Sequence, residues 1–391
     1  MIFAGPLFNL KDEDTILENT PKGFVQNQAN SFQWNCILGL VENGIQLSIL
    51  NVLPVGTFPK NYNKLFLKSK EWSFNGIKGQ EIGCINLPLL KQFARYYKFK
   101  KYLKNAEDHT ILIYSMYYPF LKAINKIGKD YKIVLIVTDL PEFYDLTNRS
   151  SIIVSALRYI QNKLIYNSLK HVDGYVLLTE HMKYPLNIED KPYVLIEGIC
   201  DGSGFLMPNH DSNEKKIVYT GTLNSKFGLP TLLKAFEMIN DPTISLHICG
   251  TGDCVELVRE YANNFDSIHY YGYLTFENVR KIQSEAAVLI NPRQNNDVYT
   301  KYSFPSKTLE YLTSGVPTVA YKLDGIPDDY DCYLNYVNDD SPESLAFILE
   351  KICNDTSGYY INKANEARSY VINEKNYVAQ TNKIVNLFQL F

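Results

Sequence analysis

Phe304-Pro305-Ser306-Lys307-Thr308-Leu309-Glu310-Tyr311-Leu312-Thr313-Ser314-Gly315-Val316-Pro317-Thr318-Val319-Ala320 reads as a loop, a short helix and a buried strand. Ser306 is placed to cap the first free amides of the helix. Gly315 tolerates the left-handed conformation past a helix end, and Pro317 cannot continue the helix. Free amides at a helix start attract phosphate, and an acid one turn in can accept hydrogen bonds from sugar hydroxyls. The run Ser306-Lys307-Thr308 followed by Glu310 therefore points to a nucleotide or nucleotide-sugar site. Stabilisation of an acid by the helix dipole explains Glu310 equally simply.

Outward from this run, short apolar stretches alternate with longer amphipathic ones, the pattern of a parallel α/β sheet. Strands are expected at 1–4, 46–53, 110–115, 132–137, 174–179 and 193–196 in the first half. In the second half they are expected at 216–219, 245–249, 267–271, 287–291, 318–321 and 334–337. Helical patterns lie between them, among them 27–42, 89–104, 150–168, 255–263, 306–314 and 342–353. The alternation breaks in the polar, glycine-bearing stretch from Glu197 to Glu214, which reads as a linker. With 391 residues to distribute, the expected fold is α/β, with two doubly wound Rossmann-like domains facing a cleft. The boundaries are 1–203 and 204–376, with an amphipathic helix pattern over 377–391.

Composition excludes several classes. A formal net charge of -3 provides no global field for nucleic acid. The seven cysteines form no CxxC pair and the six histidines are dispersed, so reduced thiols and no metal site are expected. Met1–Ala4 reads as a first strand with no cationic segment before it, and no apolar run approaches a membrane span. A cytoplasmic protein is expected, at most peripheral to a membrane.

Three further constellations sit at strand ends. Tyr219-Thr220-Gly221-Thr222-Leu223-Asn224-Ser225-Lys226-Phe227-Gly228 follows a strand and leads into a helix. Gly221 and Thr222 let backbone approach a ligand, and Lys226 can neutralise a diphosphate or stand as a solvated surface charge. Cys249-Gly250-Thr251-Gly252 is a G-x-G turn, without the third glycine of a dinucleotide fingerprint. Asn291-Pro292-Arg293 ends another strand, where ligands sit in open α/β sheets, so Arg293 reads as a phosphate contact or a surface charge.

Together and in this order, the pieces resemble family 4 of the retaining, GT-B-type glycosyltransferases. The resemblance covers residues 216–377 through "I-C-G-x-G", "G-Y-L", "N-P-R", "F-P-S-K-T-L-E-Y-L-x-S-G-V-P-T-V-A" and "D-G-I-P". The long run resembles the subgroup that builds bacterial surface polysaccharides. The first half matches more loosely, through Gly44 after a helix end and "G-Y-V-L-L-T-E-H-M" near Gly174–Met182. The resemblance implies a hexosyltransferase that needs no metal. Its donor would be a UDP- or GDP-linked sugar, bound as substrate with no cofactor, and its acceptor a saccharide or lipid-linked saccharide. Glu310 would hold the ribose, with Ser306, Lys307 and Thr308 against the diphosphate. Lys226 and Arg293 would stabilise the leaving phosphate, Gly221 and Gly250 would admit the ligand, and Gly5 would approach the sugar phosphate. The last helix would cross back onto the first domain. Two positions depart from the family. Tyr302 stands where the first motif acid is expected, and Thr138 replaces the strand-end His. Asp139 or Glu142 would then act on the acceptor hydroxyl, unless Asp139 merely caps its loop. A non-catalytic nucleotide-sugar-binding partner and, less well, a sugar-nucleotide epimerase are the competing readings.

Residues 91–104 carry six basic side chains and no acid, interleaved with aromatics. The stretch reads either as an interfacial helix meeting anionic lipid or as a surface helix whose aromatics face the core.

Overall fold

The computed structural model of the chain describes residues 1–21, 27–127, 130–143, 152–188, 190–200, 205–208 and 214–391. Parts of the expected linker (201–204 and 209–213) and the start of the expected 150–168 helix lie outside the described residues. The chain divides into two units, Met1–Ile199 with Tyr377–Phe391, and Cys200–Asn376.

The first unit contributes β1 (Ile2–Gly5), β2 (Ser48–Asn51), β3 (Phe66–Leu67), β4 (Lys70–Phe74), β5 (Ile77–Glu81), β6 (Cys84–Ile85), β7 (Thr110–Tyr114), β8 (Lys132–Val137), β9 (Gly174–Leu177) and β10 (Tyr193–Leu195). Eight of these form one sheet in the order β10-β9-β8-β7-β1-β2-β5-β4, parallel except for β4 against β5. β3 and β6 pair separately. Near-continuous apolar runs such as Ile133–Val137 are buried, as expected of strands covered on both faces. The β4–β5 hairpin is absent from the sequence reading, although Asn75-Gly76 marks it. Both residues have positive φ (49° and 79°), as a two-residue turn matched to strand twist requires.

Helix Tyr377–Phe388 completes this unit by packing on helix Asn27–Glu42. The Asn43 amide donates to Val378 O and Thr381 Oγ1, both at 2.9 Å. Gly39 admits the approach, because any Cβ there would strike the Tyr377 carbonyl.

The second unit holds β11 (Lys215–Thr220), β12 (Ile244–Cys249), β13 (Ile268–Tyr270), β14 (Val288–Asn291), β15 (Thr318–Ala320) and β16 (Asn335–Tyr336). They form an all-parallel sheet in the order β13-β12-β11-β14-β15-β16. Strand alternation gives this sheet two faces. Ile217, Leu246, Ile248, Val288 and Val319 build the larger core, while Val218, Leu289, Tyr311 and Val316 build a smaller one opposite. Helix Tyr359–Glu374, also absent from the sequence reading, closes the unit.

In helix Pro88–Lys104 two of the six basic residues are not surface charges. Lys91 and Arg95 are buried: Lys91 donates to the carbonyls of Val55 and Gly56, and Arg95 to Leu53 O at 2.8 Å. Tyr96 and Phe99 face the core, but Leu89, Leu90, Phe93 and Tyr97 are exposed. Among the described residues, no helix is long and apolar enough to cross a membrane.

Candidate functional site

In the second unit, successive strands run from β11 to one side (β12, β13) and then to the other (β14, β15, β16). The crossovers diverge between β11 and β14, and the carboxyl ends of those strands flank the crevice where open α/β sheets bind ligands. The loops after β11, β12 and β14 meet there by backbone contact. Gly250 has φ 141°, and a Cβ on it would lie inside van der Waals contact of Gly221 O. Gly228, at φ 81°, is pressed in the same way onto Pro292 O, beside Arg293.

Helix Ser306–Ser314 begins at this crevice, with Lys307 near Gly221. Its C-terminus is as the sequence indicates, with Gly315 left-handed at φ 76°. Its start differs from expectation. Pro305, fixed at φ -68°, is the N-cap, and Ser306 is the first helical residue, so no side chain caps the first turn. The Thr308 amide donates to Pro305 O at 2.8 Å, and its buried hydroxyl has no hydrogen-bond partner among the described residues. The amides of Ser306 and Lys307 are the ones left facing forward.

Tyr311 anchors the helix to β11. Its buried hydroxyl donates to Thr220 O and accepts from Thr220 N, both at 3.0 Å. Burial raises its pKa far above the usual tyrosine range, so it stays neutral. One turn away, Lys307 Nζ reaches both carboxylate oxygens of Glu310, at 2.8 and 2.7 Å. Gln283, from helix Phe276–Ser284, donates to Glu310 Oε1 at 2.6 Å and to Thr220 Oγ1 at 2.9 Å. Lys307 Cε lies 3.8 Å from where a Cβ on Gly221 would sit. Burial pushes the neighbouring Cys249 thiol up to about 11, with the Lys307 charge opposing.

Arg293 is buried, donates to Ser303 Oγ at 2.8 Å, and stacks its guanidinium over Tyr299 with 4.4 Å to the ring centroid. Burial lowers its pKa. Among the described residues no carboxylate forms an ion pair with it, so a buried cation stands beside the glycine loops. Lys226 is exposed on the turn Ser225–Phe227, whose Phe227 ring is 5.8 Å from the Arg293 guanidinium. Thr222 is exposed at the loop tip, and its carbonyl accepts from Tyr219 Oη at 2.7 Å. Tyr302 is half-buried at the end of the 3-10 turn Val298–Tyr302.

The second-unit residues Gly221, Gly250, Lys307 and Glu310 thus meet at one strand-end crevice, flanked by Arg293 and Lys226. Gln283, Thr220 and Tyr311 complete it and were missed. Gln283 lies 27 residues before Glu310 on another helix, so no local spacing signals it.

The first unit has its own switch point, between β1 and β7. Gly5 ends β1 where a Cβ would strike Gln33 Oε1, a buried acceptor without a protein partner. Ser115, just past β7, is held left-handed at φ 63°, an uncommon strain for a residue with a Cβ. After β8, Thr138 neighbours Tyr114 and Asp139 and opposes the rise that burial causes in both pKa values. Asp139 is open to solvent on one side, yet the surrounding protein raises its carboxyl above the usual range, with Thr138 opposing. Glu142 is exposed on the turn Pro141–Phe143 and accepts from Tyr166 Oη at 2.9 Å.

Comparison with solved structures identifies the fold. The chain is similar to sucrose-phosphate synthase from Thermosynechococcus elongatus, with TM-score 0.69, 15% identity, and 100% of this chain and 98% of that chain covered. It is similar to the apo form of the lipopolysaccharide outer core galactosyltransferase WaaB, with TM-score 0.62, 13% identity and coverage of 100% and 99%. It is also similar to HepE of Anabaena, solved in complex with UDP, with TM-score 0.63, 10% identity and 100% of both chains. No curated protein matches in sequence. The architecture is that of the GT-B glycosyltransferases. Residues 214–355, within the second unit, match the family described as Glycosyl transferases group 1.

Proposed function

We propose that the chain moves a hexosyl unit from a UDP- or GDP-linked sugar to a saccharide or lipid-linked saccharide, with retention, in bacterial surface polysaccharide synthesis. The observation that carries this reading is the Lys307–Glu310 pair, which joins the first and second turns of a helix without a side-chain cap, set at the β11/β14 switch point. Glu310 accepts the ribose hydroxyls. The amides of Ser306 and Lys307, with the Lys307 ammonium, meet the diphosphate. Arg293 and Lys226 stabilise the charge that develops on the leaving phosphate, which lowers the main barrier of the transfer without requiring a metal. Buried Arg293, with no ion-paired carboxylate among the described residues, gains a close counter-ion when the diphosphate arrives. Gly221 and Gly250 keep the crevice open to the ligand. In the first unit, Gly5 admits the sugar phosphate and Asp139, its carboxyl held above the usual range, takes the proton of the acceptor hydroxyl. Glu142, already engaged by Tyr166, orients the acceptor.

We further propose that the transfer occurs at the cytoplasmic face of a membrane. Helix Pro88–Lys104 supports this: exposed Leu89, Leu90, Phe93 and Tyr97 lie beside exposed Lys98, Lys101 and Lys104. Charge reversal at these three lysines is the relevant test. Arg95 is excluded from it, because its guanidinium serves the core.

Calorimetry with UDP, GDP, ADP and CMP tests the donor site. One nucleoside diphosphate is expected to bind, with the binding lost in Glu310→Ala. A second reading, a nucleotide-sugar-binding partner without activity, is favoured by Tyr302 and Thr138 at the two departed positions. Anomer-resolved NMR of the product decides between them and tests retention. Nucleotide binding without transfer or donor hydrolysis would select the second.

A further inference from the structure

Strand alternation in the second sheet sends Ile244, Leu246 and Ile248 of β12 into the larger core, and Ser245 and His247 to the opposite face. On β13, Ile268 is paired with Leu246 and His269 with His247, so the two histidines stand side by side on that opposite face. Their ring centroids are 4.7 Å apart. Glu214, immediately before β11, reaches the same place, with Oε1 3.6 Å from His247 Nε2. One ligand atom from each of the three residues lies within 4.8 Å of the other two.

We propose that Glu214, His247 and His269 form a binding site for one divalent transition metal, zinc by their donor set, apart from the nucleotide crevice. Two imidazole nitrogens and a carboxylate oxygen are ligands zinc accepts in four-coordinate sites. Bonds of about 2.0–2.1 Å in a tetrahedron place ligand atoms about 3.4 Å apart. The Glu214–His247 separation is already close to this, and shifts of about 1 Å by half-buried His269 and exposed Glu214 close the remainder. His247 stays in place, since it is buried and held at its other nitrogen.

That other nitrogen supplies the supporting interaction a metal-bound histidine needs. His247 Nδ1 is 2.7 Å from Tyr271 Oη, which fixes the ring and accepts a hydrogen bond from Nδ1–H when Nε2 binds a metal. Ser245 Oγ lies 2.9 Å from His247 Nε2 and 3.0 Å from Glu214 Oε1, and a water it orients can fill the fourth position. The His269 ring makes no hydrogen bond among the described residues. The competing cation is Lys216, but its ammonium sits on the other carboxylate oxygen of Glu214, at 3.6 Å, and is held more closely by Glu285 at 3.1 Å. A bound ion would tie edge strand β13 to β12 and to the residue that leads into β11.

The test uses tag-free full-length protein, stripped with chelator and titrated with Zn²⁺ by calorimetry, and with Co²⁺ by visible absorption. The expected result is one ion per chain, four-coordinate Co²⁺ bands, and a higher unfolding temperature with zinc. His269→Gln and Glu214→Gln abolish the binding while leaving nucleotide affinity unchanged. Tyr271→Phe weakens zinc by about 10–100-fold while retaining stoichiometry. That graded loss distinguishes a ligating site from a hydrogen-bonded polar strip. Absence of saturable binding at one ion per chain, or binding unaffected by His269→Gln, overturns the proposal.

Discussion

Replacing Glu310 by Ala removes a carboxylate that accepts three hydrogen bonds, two from Lys307 and one from Gln283. The effect on folding is modest. Lys307 is 26% exposed in its side chain and can turn to solvent, and Gln283 keeps its bond to Thr220. A loss of about 1–2 kcal/mol is expected, a few degrees in the unfolding midpoint of the second unit. The effect on nucleotide binding is larger. Two ribose hydroxyls donating to a charged acceptor contribute about 1.5–3 kcal/mol each, so losing both weakens binding by at least about 100-fold. Glu310→Gln separates the two roles. An amide offers one acceptor oxygen and an NH₂ that cannot accept, so one ribose hydroxyl loses its partner and affinity falls about tenfold. Calorimetry of both variants with the bound nucleotide, alongside thermal unfolding, measures each number. If Glu310→Ala binds the nucleotide within threefold of the parent while remaining folded, the ribose role of Glu310 is refuted.

Other outcomes follow from the same geometry. Gly250→Ala puts a methyl against Gly221 O at φ 141°, so denaturant titration should show a loss of more than about 2 kcal/mol, with nucleotide binding lost too. Tyr311→Phe leaves the buried Thr220 N–H without its acceptor, at a cost of about 1–3 kcal/mol by the same measurement. Burial, opposed by Lys70, raises the Glu81 carboxyl from 4.5 to about 7, so the folded state holds an extra proton between those values. Its contribution is complete below pH 4.5 and is lost as pH rises through 7. Glu81→Gln should therefore flatten the stability profile across that window and gain up to about 3 kcal/mol at pH 8. Six of the seven cysteines are buried and Cys332 is exposed, so a thiol reagent should label one site rapidly and six only on unfolding.

The elements that sequence reading recovers are those whose signals are local. Helix Ser306–Ser314 ends at a glycine whose left-handed φ only that residue adopts easily, and the buried strands declare themselves by unbroken apolar runs. The hairpin at Asn75-Gly76 was equally local and was overlooked. What could not be read depends on partners distant in sequence. Lys91 and Arg95 look like surface charges until the loop carbonyls of residues 53–56 are seen to receive them. Gln283 joins Glu310 only through the packing of two helices. His247 and His269 are 22 residues apart, and only the pairing register of β12 and β13 brings them together. Ser306 shows the opposite error, in which a favourable capping residue is moved one position inward by the fixed φ of Pro305.

The chain leaves the first unit after Ile199 and re-enters it at Tyr377, and the second unit's own ends adjoin, with Cys200 N donating to Lys375 O at 2.8 Å. During synthesis, everything the second unit needs has emerged before the helix that finishes the first. Helix Asn27–Glu42 must wait, with the face around Gly39 uncovered, for nearly the whole chain to be made. The insert can fold first and bring residues 199 and 377 together, which turns a closure over some 180 residues into a local docking event. Truncation before Tyr377 would then spare the later half of the molecule and leave the earlier half unfinished.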